Sequence, residues 1–166
     1  SMGKIMGISL QISSLLAKQL GVPIHSHLVP AAGLAYQAVA SGKATIGYFG
    51  IAPQRADGSL QAGAVNGVNY SKPYIEIFGS YEVTKTSPIT RNSEVDQPGH
   101  TIVAGKNSNL RVLDGHFMTI KQAIATPKSL SQASPFLNQF IKSLHRSGCL
   151  SALADSNKLT GYSLPE

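Results

Sequence analysis

The chain has 166 residues, enough to bury one good core with a small appendage, and 42% of them are hydrophobic, an ordinary share for a globular domain. No apolar run approaches the roughly 20 residues of a membrane-spanning helix, and no leader with a charged start, an apolar centre and a small-residue cleavage site is visible. The net charge of +6 reflects a shortage of acids, eight against 14 Lys and Arg. The bases are spread singly, without runs or interleaved aromatics, so no nucleic-acid partner is expected.

In chain order, Ile8, Ile12, Leu15, Leu16 and Leu20 form one apolar stripe at helical spacing. Gly21 is the expected left-handed stop, and Pro23 prevents continuation. Residues 24–29 alternate apolar and polar and predict a short strand. His25 and His27 share one face of it, a spacing that suits a metal only if a third ligand joins them. Residues 31–40 predict a second helix that stops at Ser41-Gly42, and residues 45–49 follow at once as a buried strand. Two helix–strand units in succession argue for a parallel, helix-covered sheet.

The strand at 45–49 runs into a tight turn, Gly50-Ile51-Ala52-Pro53, and then Arg55. Small residues at a strand's carboxyl end let a ligand reach backbone N–H groups, and a guanidinium can grip a carboxylate with paired hydrogen bonds. Residues 57–67 are Gly-rich and predict a loop, and 70–74 predict a Pro-broken loop. The longest strand is expected at 75–85, a connection at 86–99, short strands at 101–104 and 110–113, and a returning strand at 117–125. Ser134 and Pro135 have the chemistry of a helix start. Phe136, Leu137, Phe140, Ile141 and Leu144 give that helix its stripe, and Gly148 ends it. Residues 150–154 predict a short final helix.

This order of segments resembles the first lobe of periplasmic solute-binding proteins of the amino-acid ABC-transporter type (type II, family 3-like). The resemblance rests on the helix GISLQISSLLAKQLGV, the SGKA turn and its strand, the turn IAPQR, the SKPY loop and the crossing strand after it. It continues through SPITRNSEVDQPGHTIVAGKNS and resumes in LRVLDGHFMTIKQAIATPK. It implies an α/β fold, a mostly parallel sheet flanked by helices. Residues 1–86 and 116–166 would form the lobe-one-like domain, and 87–115 the connection and a stump of lobe two.

Two parts of the family pattern are missing. The strand that normally precedes the first helix is reduced to residues 4–6. Asn109 joins directly two segments between which the family builds most of lobe two. A truncated relative is therefore expected.

Carried over by position, Arg55 matches the arginine that holds a ligand's carboxylate. Gly50 and Ala52 match turn positions that contact the ligand, Tyr48 and Phe49 would flank the pocket, and Ser108 matches a lobe-two hydroxyl residue at a helix start. The implied partners are a small amino-acid-like solute and an ABC-transporter permease, with no cofactor or metal, and the implied compartment is the periplasm. An alternative reading is a homo-oligomeric interaction module that uses exposed sheet edges and the former inter-lobe face. Catalysis has little support: the acids are scattered, and no nucleophile, zinc or phosphate-loop motif occurs. Cys149 is the only cysteine, so no internal disulfide is possible.

Overall fold

In the computed structural model, which describes residues 7–59, 66–98 and 109–165, the chain divides into two compact units. The first comprises Ser1–Glu76 and Lys121–Glu166, the second Ile77–Ile120. In chain order the elements are α1 (Ile8–Leu20), α2 (Ala32–Ala40), β1 (Gly47–Gly50), α3 (Pro53–Asp57), β2 (Val68–Gly79), β3 (Glu82–Thr84), β4 (Leu110–Val112), β5 (Met118–Pro127), α4 (Ala133–Arg146), α5 (Cys149–Ser156) and β6 (Tyr162–Ser163).

The sheet of the first unit has the order β1-β5-β2-β6. Side chains alternate across a strand, so each face needs its own cover. On one face Ile124 of β5 joins Ile12 and Leu16 of α1, Leu137 and Phe140 of α4 and Leu150 of α5 in one apolar cluster. On the other, Phe49 of β1, Val68 of β2 and Ala125 of β5 pack with Tyr36 and Val39 of α2. The α/β architecture with a helix-flanked sheet is thus the one expected. The pair β1–β5 departs from the mostly parallel sheet expected: it runs antiparallel, with Gly47 opposite Ala125 and Gly50 opposite Gln122, because β5 is the returning strand.

α1 packs Ile8, Ile12, Leu15 and Leu16 of the predicted stripe inward, leaves Leu20 exposed, and closes at Gly21, whose φ of 67° lets its own N–H and that of Val22 reach back to the carbonyls of Lys18 and Ala17. α4 begins at Ala133, slightly before the expected Ser134 cap, and buries Leu137, Phe140, Ile141 and Leu144.

Residues 24–29 form no strand. A strand is stable only beside a partner that takes up its backbone groups, and none of the described strands pairs with this segment. It lies at the surface, and His25 and His27 are exposed there rather than placed on a sheet face. Residues 70–74, expected as a loop, lie inside β2 despite Pro73. The expected strand stub at 4–6, the strand at 101–104 and Ser108 lie outside the described residues.

In the second unit β3 and β4 pair antiparallel, Glu82 opposite Val112 and Thr84 opposite Leu110. The buried amide of Asn92 ties the strand ends together. It donates to the carbonyls of Leu113, Asp114 and Gly115 and accepts the N–H of Tyr81 at 2.8 Å. The Glu94 carboxylate accepts the N–H groups of Thr90 and Arg91, and the first of these bonds is the main reason its pKa is lowered. Two ring stacks, Phe78 on His116 and Tyr81 on Phe117, flank this unit's strands.

Candidate functional site

The turn after β1 is built around the carbonyl of Gly50. Arg55 Nη1 donates to it at 3.0 Å, and the Tyr70 hydroxyl, from β2, donates to it at 3.2 Å. Pro53 at the start of α3 has the fixed φ that a first helical turn needs, and Ala52 supplies the carbonyl that accepts the N–H groups of Arg55 and Ala56. The short helix thus turns the half-buried Arg55 side chain back over the end of β1. The Arg55 carbonyl is in turn held by the buried Tyr36 hydroxyl at 3.1 Å. Burial raises the pKa of both Tyr36 and Tyr70, so both hydroxyls stay neutral donors at neutral pH.

Arg55 has no carboxylate partner among the described residues, where the ion pair present is Lys121 with Glu76. One guanidinium nitrogen is committed to Gly50, and the group also engages the Tyr70 hydroxyl; a guanidinium has five N–H donors, more than these two contacts use, and its planar fork suits a planar anion. Gly50, Ala52 and Arg55 therefore meet in one turn.

Tyr48 and Phe49 go elsewhere. They alternate to opposite faces of β1. Tyr48 packs edge-on against Tyr74, with its hydroxyl 2.7 Å from Ser13 Oγ, and Phe49 packs edge-on against Tyr36. Ser108 has no place here, since it lies outside the described residues. Sequence reasoning missed Tyr70 and Tyr36. Tyr70 stands four residues before Tyr74, inside a stretch whose Pro73 suggests a loop, and nothing local shows that its hydroxyl reaches back to residue 50.

No helix among the described residues is long and apolar enough to cross a membrane, and no group of three or more His, Cys, Asp or Glu side chains among them is placed to hold a metal ion.

No family model matches the sequence, and neither does any curated protein. Solved structures do match it in fold. The substrate-binding protein of an amino acid ABC transporter superposes with a TM-score of 0.65 at 20% identity, over 94% of this chain and 90% of that one. The solute receptor for L-cysteine of Neisseria gonorrhoeae gives 0.70 at 19% identity, over 99% and 88%. A histidine kinase sensor domain with similarity to periplasmic binding proteins gives 0.71 at 12% identity, over 98% and 90%. The fold is that of type II periplasmic binding proteins, and at these identities the likeness is one of fold.

Proposed function

We propose that this chain binds a small amino-acid-like or carboxylate solute at the turn after β1, in the manner of a solute-binding protein serving a transporter, and that its second unit is a shortened counterpart of a second lobe. The observation that carries this reading is the Arg55 guanidinium. It is pinned by Gly50, steadied through Tyr36, left without a carboxylate among the described residues, and set beside the Tyr70 hydroxyl at the end of a strand. A solute carboxylate would take paired hydrogen bonds from Arg55, with Tyr70 and the small residues Gly50 and Ala52 bounding it. The fold is shared with proteins described as amino-acid receptors, which supports the choice of ligand class. A periplasmic setting and a permease partner follow from the same reading.

Thermal unfolding in the presence of amino acids and short carboxylic acids tests it. A ligand at about a hundred times its Kd adds about 2.7 kcal/mol of stability, an easily measured rise in Tm. The rise should vanish in Arg55→Ala and largely vanish in Arg55→Lys, which keeps the charge but loses the fork. An unchanged Tm with every ligand would sink the proposal.

A further inference from the structure

Among the described residues the outer edge of β1 is unpaired, and exposed apolar side chains lie beside it. β1 is the terminal strand of its sheet among the described residues. Its bonding direction follows from two contacts. The Ile51 N–H donates to the Lys121 carbonyl at 2.8 Å, continuing the β1–β5 ladder past Gly50. Bonding alternates along an antiparallel pair, so Gly47 and Phe49 share the direction of Ile51, and Tyr48 points its N–H and C=O away from β5. Ile124, opposite Tyr48, agrees: its N–H goes to Ser71 Oγ on β2.

Alongside that edge runs a groove of about 910 Å³ between α1, α2, the segment after α1 and β1. Leu20, Val22, Ile24 and Leu28 line it and are 43–67% exposed. Apolar side chains clustered this way beside an unpaired strand edge are what strand addition uses: main-chain bonds on the edge, side-chain contacts in the groove. The titratable side chains of the groove wall include Lys43, His25 and His27, and none of the described lining residues is acidic. A second copy of this chain carries the same +6 charge and is repelled.

We propose that the groove takes up an extended peptide strand with alternating apolar side chains and carboxylates at its ends, paired to β1 through Tyr48. The site is separate from the proposed solute site, since neither Gly50 nor Arg55 lines the groove.

The probe is a fluorescent octapeptide of alternating valine and threonine with aspartate at both ends, compared by anisotropy with a lysine-ended version at low salt. The aspartate peptide should bind the full chain, and the lysine peptide should bind at least about tenfold more weakly. Lys43→Glu, at an exposed position, should reverse that order, and Arg55→Ala should leave it unchanged, which separates this result from the fate of the solute reading. Hydrogen exchange should show the Tyr48 amide fast in the free chain and slow with peptide. No binding of either peptide, or equal binding of both, would overturn the proposal. So would a Tyr48 amide already protected without peptide: protection at all concentrations means the chain fills its own groove, and protection that grows with concentration means a second copy does.

Discussion

Tyr48 shows how far one side chain's environment departs from water. Its ring is packed edge-on against Tyr74, its hydroxyl lies 2.7 Å from Ser13 Oγ, and burial pushes its pKa up to about 12. An unfolded tyrosine ionises near pH 10, at about the ordinary value. The folded chain therefore favours the neutral form. The stability this gives is fully present below about pH 10 and is lost as pH rises toward the folded value, at about 1.4 kcal/mol per pH unit, or roughly 2–3 kcal/mol in all. Tyr48→Phe cannot ionise. Urea unfolding midpoints measured from pH 9 to 12 should fall more steeply for the parent chain than for Tyr48→Phe, and parallel curves would show that the hydroxyl is not shielded.

At the scale of elements, β2 carries an interruption and its repair. Pro73 has no N–H to offer a ladder, and strands tolerate it mainly at edges and irregularities. Just before it, the Ser71 hydroxyl accepts the buried N–H of Ile124 at 3.0 Å and donates to the Lys72 carbonyl at 2.8 Å, while the Asn138 side chain accepts the Lys72 N–H. Side chains thus replace ladder bonds where the backbone is irregular. Ser71→Ala leaves the Ile124 N–H buried without a partner and should cost about 1–3 kcal/mol in denaturant unfolding. Ser151→Ala, at an exposed position, should stay within about 0.5 kcal/mol of the parent.

The same repair explains why residues 70–74 read as a loop in the sequence. Proline is a local signal, and the hydroxyl that rescues the strand acts across 53 positions of chain. α1 and α4 were legible because a helix satisfies its own backbone and its stripe needs only some apolar neighbour. Residues 24–29 have the alternation of a strand but no ladder to join among the described residues, and pairing is not written in a segment's own residues. At the candidate site the turn Gly50–Arg55 was legible as local chemistry. Tyr36 and Tyr70 were not, because each reaches it from another element. Adjacency to the turn suggests a pocket role for Tyr48 and Phe49, whereas strand alternation packs their rings on opposite faces of the sheet.

Across the whole molecule the two units are unequally supplied with interior. The first holds two apolar clusters with helices on both sheet faces. The second has Val95 and Leu113 as its buried apolar side chains among the described residues, and it relies on Asn92, whose amide joins Tyr81 to residues 113–115. A region with little buried apolar surface opens at a lower free energy than a well-filled one. Amides of the β3–β4 pair should therefore exchange by a local opening, while buried amides of β5 near Ile124 and of α4 near Phe140 exchange only on global unfolding.

Asn92→Ala removes the bonds that hold the second unit and leaves the Tyr81 N–H without its acceptor, a loss of about 2 kcal/mol, or roughly thirtyfold in the opening equilibrium. Native-state hydrogen exchange should show that acceleration at Val83 and Arg111 and little change at Ile124 and Phe140. Equal acceleration at all four positions would mean that the chain opens as one cooperative body and that Asn92 supports the whole of it.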